Sequence, residues 1–230
     1  MIKILMQFYI NKTKNKNFKF DDNLSSRSLF ALFLLKTISL LRGIRFIYQN
    51  KNFNRVFVGK SLKLVNKKNI FVGNNVNIGD YVTLSAIGRG PIRIGDNVSI
   101  GSMSQVVIST SYNNIGSHIS IDNNVGFGEF AYLGGGGGLS IGEDTIIGQY
   151  FSAHPENHIF TNNNLNIRDQ GVTRKGISIG KNCWIGSKVT ILDGVSIGNN
   201  CVIASGAVVN KSFSNNQLIG GVPSKVLKEI

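Results

Sequence analysis

The chain has 230 residues, with 27 Gly, only 3 Pro, and 25 Lys plus Arg against 12 Asp plus Glu, a formal net charge of +13. That length carries one or two domains with a sizeable core, and two cysteines exclude a disulfide-scaffolded miniprotein. The positive balance suits phosphate-bearing ligands or an anionic membrane surface, but no nucleic acid is expected as partner. The Lys and Arg residues are scattered and lack the aromatic interleaving of single-strand binders.

Residues Met1–Ile10 are too mixed for a secretion signal and offer no small-residue cleavage site. Asn11–Asn23 is rich in Asn and Lys and reads as loop. Ser28–Tyr48, SLFALFLLKTISLLRGIRFIY, has helical spacing, with Ser25 or Ser26 as its cap. Its longest apolar run, Ser28–Leu41, is interrupted by Lys36 and is short of the roughly 20 residues of a membrane span. The expected location is cytoplasmic. The helix is expected to cover the open end of the following domain. With Lys36, Arg42 and Arg45 it also suits a peripheral contact with the inner membrane face.

From Val56 an aliphatic residue recurs every sixth position, most regularly in ISIGKNCWIGSKVTILDGVSIGNNCVIASGAVV, Ile179–Val209. A six-residue period is neither helical nor simply alternating. It is the hexapeptide β-helix signature: one short strand and a turn per repeat, three repeats per triangular coil. The fold class is therefore all-β, a parallel β-helix with an N-terminal helical segment and a protruding loop. Residues 1–55 form the tail and helical segment, 56–212 the β-helix, and 213–230 a C-terminal segment. Coils are expected to start at Val72, Ile94, Ile121, Ile141, Ile179 and Ile197. The long step from Ile141 to Ile179 puts about 20 residues outside the coil, within Ser152–Gly176. Long loops on rigid scaffolds are where function concentrates.

Gly134–Gly138 is not followed by Gly-Lys-Ser/Thr, so it is no P-loop, and it reads as a tight turn packed closely on a neighbour. Cys183 and Cys201 lie three hexapeptides apart, so they should stack in adjacent coils as free thiols with Cα atoms about 5 Å apart. Of the three histidines, His118, His154 and His158, two fall in FSAHPENHIF within the long step. Imidazole can accept a proton near neutral pH, which suits a general base.

The repeat together with the tail IGGVPSKVLKEI resembles the C-terminal half of hexapeptide acyltransferases, including the galactoside and maltose acetyltransferases. LRG, IRDQGVTRKG and GGVPSKVLK bring the chain closer to bacterial capsule, exopolysaccharide and O-antigen O-acetyltransferases. The resemblance covers roughly residues 41–230. It implies a left-handed coil, a homotrimer with sites between subunits, acetyl-CoA as donor and no metal. The acceptor would be a sugar hydroxyl of a surface-polysaccharide precursor, on a free sugar, a nucleotide sugar or a lipid-linked repeat unit. A histidine would take the acceptor proton. The His-Pro pair matches His154. An ungapped count from IIGQYF reaches His158, which is preferred because the coil fixes where a side chain emerges. Glu156, Asp169 and Glu129 are candidates to orient it. For CoA, Trp184 matches a tryptophan beside the pantetheine arm and should point outward. Ser187 matches a serine near the thioester. Ser205 and Ala207 match backbone positions of the groove. Lys211, Lys225 and Lys228 match basic positions near the phosphates.

Other readings remain at this point. An antibiotic or small sugar could be the acceptor. The three histidines could hold zinc, as in a γ-carbonic-anhydrase-like enzyme, but zinc needs imidazoles converging at about 2.0–2.1 Å. A non-catalytic β-helix would need neither Trp184 nor the GGVPSK tail.

Overall fold

Each repeat turns two side chains inward, an aliphatic anchor such as Ile179 and the small or branched residue four positions on, such as Cys183, and the residues between them bend the backbone by a third of a turn. Stacking then buries the inward side chains against those of the coils above and below. The computed structural model describes residues 2–13, 16–47 and 54–230. The first face of the prism is built from Val56–Val58, Val76–Ile78, Ser99–Ile100, Gly126–Phe127, Ile146–Ile147, Trp184–Ile185 and Val202–Ile203. The second holds Lys63–Val65, Thr83–Ser85, Gln105–Val107, Tyr132–Gly134, Ser152–His154, Thr190–Leu192 and Val208–Val209. The third holds Ile70–Val72, Ile92–Ile94, Ile119–Ile121, Leu139–Ile141, Ile177–Ile179 and Ser196–Ile197. Neighbouring strands on these faces are parallel, and the seventh coil returns through Phe213, which bridges to Ile197.

The register follows the hexapeptide spacing. Val72 pairs with Ile94, Ile94 with Ile121, Ile121 with Ile141, Ile141 with Ile179, and Ile179 with Ile197. These residues and their counterparts on the other faces form one continuous buried core. At the corner joining the third face to the first, Asn75, Asn97, Asn124, Asp144, Asn182, Asn200 and Asn216 all have φ between 52° and 60°. Asn and Asp tolerate this left-handed conformation better than most side-chain-bearing residues. Their side chains also link the coils, as in Asn97 Nδ2 to Asn124 Oδ1 at 3.0 Å and Asn182 Nδ2 to Asn200 Oδ1 at 2.9 Å.

Cys183 and Cys201 are buried free thiols in adjacent coils, as the spacing predicts. Burial pushes the Cys183 thiol above its usual range, so it stays protonated and unreactive. Neither cysteine is expected to be alkylated by iodoacetamide in the folded protein, and both should react after denaturation. Intact-mass spectrometry reads this directly.

Two helices sit at the coil-1 end. α2, Ser26–Ile47, lies against Val56–Val58. Ser25 caps it, accepting the Ser28 N–H at its Oγ (3.1 Å) and the Leu29 N–H at its carbonyl (3.0 Å). Leu29 is fully buried, and Lys36 donates to Asn77 Oδ1 at 2.7 Å while lying 4.8 Å from the Phe57 ring centre. The predicted end at Tyr48 and the Arg45 side chain lie outside the described residues. α1, Ile2–Thr13, was not foreseen, and it runs three residues into the predicted loop. It meets α2 while leaving Ile4, Leu5 and Phe8 exposed. At the other end Gln217–Gly220 extends the first face in parallel, and Lys225–Glu229 folds back antiparallel beside it.

Candidate functional site

The corners of the prism are unequal. The corner between the second and third faces holds the insertions: residues 108–118, the glycine run 135–138, and residues 155–176. These segments stack on one another because the coils beneath them stack.

The excursion lies within the expected Ser152–Gly176, but His154 is on the coil and not in the excursion. Ser152–His154 is still a coil strand, with His154 opposite Leu192, and the excursion starts at Pro155, which has no N–H to give a ladder. His154 is thus held by the coil itself. His158 lies in a hairpin within the excursion, Asn157–His158 against Val172–Thr173, and is exposed. His118 lies in the corner one coil below the glycine run, its Nδ1 2.9 Å from Ser117 Oγ. Among the described residues no group of three His, Cys, Asp or Glu is arranged to hold a metal ion.

His154 stacks on Tyr132 of the coil below, with ring centres 5.2 Å apart and planes 23° apart. Tyr132, Gly134, Gly136, His154, Pro155 and Glu156 line a small cleft. Burial against the cleft wall lowers the His154 pKa, and the Glu156 carboxylate works against that shift. The same two influences raise the Tyr132 pKa, burial first and then Glu156. The neutral imidazole is therefore the prevailing form of His154 at neutral pH.

Glu156 is fixed in turn. Arg174 Nε donates to its Oε2 at 3.0 Å, and the same guanidinium donates to Asn114 Oδ1 (2.9 Å), Ile115 O (3.1 Å) and Asn114 O (2.9 Å). One arginine so ties the long excursion to the 108–118 insertion. Asp193 Oδ1 accepts the N–H groups of Lys175 and Gly176, both at 2.8 Å, and pins the excursion where it rejoins the coil. The glycine run makes room for this arrangement. A Cβ on Gly136 would stand 2.5 Å from Glu156 Oε2, and one on Gly137 2.5 Å from Pro155 O. The close packing expected of Gly134–Gly138 is what the structure shows. Of the acids considered from the sequence, Asp169 instead receives Asn166 Nδ2 at 3.1 Å. Glu129 belongs to the corner between the first and second faces. Tyr132, Arg174 and Asp193 were not singled out from the sequence.

Except for Lys211, the residues matched to CoA positions lie elsewhere on the prism. Trp184 projects from the first face, 61% exposed, between Ile146 and Val202. Ser187, whose Oγ donates to Gln149 Oε1 at 2.9 Å, and exposed Ser205 occupy the corner between the first and second faces. Ala207 points its methyl into the core, so only its backbone is available. Lys225 and Lys228 are exposed on the last strand beside the first face. Lys211, its Nζ 5.7 Å from the Phe213 ring centre, is on the excursion corner. Within one chain, then, the outward surface of Trp184 and the cleft of His154 belong to different sides of the prism.

Residues 176–211 match the family described as "Bacterial transferase hexapeptide (six repeats)". The chain is 28% identical over 176 residues to "Probable acetyltransferase Rv3034c" of Mycobacterium tuberculosis, covering 75% of this chain and 49% of that protein. It thus spans about half the length of that relative. Over 171 residues it is 26% identical to "Putative lipopolysaccharide biosynthesis O-acetyl transferase WbbJ" of Escherichia coli K12, covering 71% of this chain and 74% of the relative. Among solved structures, a variant of AntD, an N-acyltransferase from Bacillus cereus in complex with dTDP and coenzyme A, is 18% identical. It covers 82% of this chain and 87% of its own, with a TM-score of 0.51, a likeness of fold.

Proposed function

We propose that this hexapeptide protein is an acetyl-CoA-dependent O-acetyltransferase acting on a sugar hydroxyl of a surface-glycan precursor, with His154 as general base. The observation that carries the reading is an imidazole held by the coil in a cleft beside a fixed carboxylate, on a chain similar over about three-quarters of its length to proteins named as acetyltransferases. His154 takes the proton of the acceptor hydroxyl. The oxygen attacks the thioester carbonyl, the C–S bond breaks, and the proton passes from the imidazolium to the departing thiolate. Glu156 supports the imidazolium as it forms. His158, favoured by the ungapped count, lies on the exposed hairpin, where it suits acceptor contact better than proton transfer.

The donor is proposed to lie along Trp184, Ser187, Ser205 and the backbone at Ala207, with Lys211, Lys225 and Lys228 meeting its phosphates. Because Trp184 and His154 occupy different sides of one prism, the reading includes a homotrimer of left-handed coils in which one subunit's first face meets its neighbour's excursion corner. The 1–55, 56–212 and 213–230 divisions are kept as functional units on the same footing.

The test is incubation with acetyl-CoA and candidate acceptors, with free thiol and acetylated product both quantified. Mass spectrometry of the host's surface glycan with and without the gene should show loss of an acetyl group. Transfer to antibiotics but to no glycan would move the acceptor to the xenobiotic class. The pH profile offers a separate check. With the His154 pKa lowered, the acid limb of kcat/KM should have its midpoint below the ordinary histidine value of about 6.5. Activity is lost as pH falls through that midpoint and the base becomes protonated. Glu156 raises the His154 pKa, so Glu156→Gln should move the limb to lower pH still. A limb that stays in place in that variant would argue against His154.

A further inference from the structure

The net charge of this chain is concentrated in its first third. Residues 1–68, the part of the sequence that includes the two helices and the first coil, contain 15 Lys and Arg and only 2 Asp and Glu, while residues 69–230 contain ten of each, so the net charge of +13 comes from that first part of the sequence. The same end carries the most concentrated exposed apolar surface. Twelve large hydrophobic side chains of α1 and α2 are more than a third exposed, among them Phe8 (67%), Phe30 (53%), Leu34 (50%), Leu35 (64%) and Leu41 (61%). By helical spacing Phe30, Leu34, Ile38 and Leu41 share the side of α2 turned away from Leu29, Lys36 and Gly43, which meet the coil. Arg27 and Arg42, both exposed, fall toward that same outer side near its two ends. No described helix is long and apolar enough to cross a membrane.

We infer that the α1–α2 end is a docking surface for anionic phospholipid membrane. An apolar helix side buried at the headgroup boundary, with basic residues around it, is how an interfacial helix binds. The acidic headgroups attract the surrounding Lys and Arg. A second copy of the chain is the poorer occupant, because it would bring another +13 against the same surface. This inference is independent of the proposed acetyl transfer, since it concerns a different end of the molecule.

The test is co-sedimentation of the full chain with vesicles of phosphatidylcholine alone or mixed with phosphatidylglycerol. The wild type should bind the mixed vesicles, bind phosphatidylcholine much less, and lose most binding in about 1 M salt. Arg27→Glu/Arg42→Glu should weaken partition to the mixed vesicles by at least about tenfold. Phe30→Asp/Leu34→Asp should abolish binding while circular dichroism and acetyl transfer stay unchanged, since both side chains are exposed. Absence of binding to mixed vesicles, or undiminished binding by both variants, overturns the inference. If the wild type instead forms an oligomer that Phe30→Asp/Leu34→Asp dissociates, without vesicle binding, the surface belongs to a second copy.

Discussion

His154→Ala is expected to lower kcat/KM for acetyl transfer by about 10²–10⁴-fold, the usual contribution of a positioned general base. Acetyl-CoA affinity should be nearly unchanged, because Trp184, Lys225 and Lys228, assigned to the donor, lie on other parts of the surface. Thiol release in a coupled assay and calorimetric titration with acetyl-CoA separate the two effects. His158→Ala should change KM for the acceptor more than kcat, since its ring is exposed on the hairpin and away from the Tyr132 stack. Full activity in His154→Ala with collapse in His158→Ala would reverse the assignment. Similar small losses in both would remove the general base from this cleft.

Arg174→Met should be the next most damaging change. It removes four hydrogen bonds at once: one to Glu156 and three to Asn114 and Ile115. The Glu156 carboxylate loses its counter-charge, and the two insertions lose their tie. Misplacement of catalytic groups by about 1 Å can cost on the order of 10²-fold in rate, and a loss of that size in kcat is expected here. Global stability should fall by only about 1–3 kcal/mol, because the coil core is untouched. Thermal unfolding, limited proteolysis within 155–176 and steady-state kinetics check these points separately. Arg174→Lys should recover part of the charge but not the forked geometry.

The parts legible in the sequence are those set by local period. The coil register from Val72 to Ile197 follows from the spacing of six, because one inward side chain per strand must meet its counterpart in the next coil. The free stacked cysteines and the Ser25 cap follow from equally short-range logic. The excursion was visible as a step of irregular length, but where it departs was not. Pro155 decides that, and placing the exit there moves His154 from loop to coil. The 27-residue step between Ile94 and Ile121 carried a second signal: an insertion on the same corner as the first. Arg174 meeting Asn114 across 60 residues of sequence could be read only once both insertions were seen on that corner. α1 lacked a readable helical signal because its apolar residues, Ile4, Leu5 and Phe8 among them, do not segregate to a buried side.

The even rise of the coils makes the molecule a ruler. The α1–α2 end is at coil 1 and the His154 cleft at coil 5, four strand spacings of about 4.8 Å away, or about 19 Å along the coil axis. With the outer side of α2 seated on a membrane and the axis upright, the His154 imidazole would stand at least that far above the headgroups, since the helix layer lies between them and coil 1. A sugar joined directly to its lipid carrier would lie below the cleft, whereas a residue several sugars along a growing chain would reach it. The number of coils between helix and histidine would then set which residue of a tethered glycan is modified, and inserting or deleting one coil would shift that choice by a fixed step.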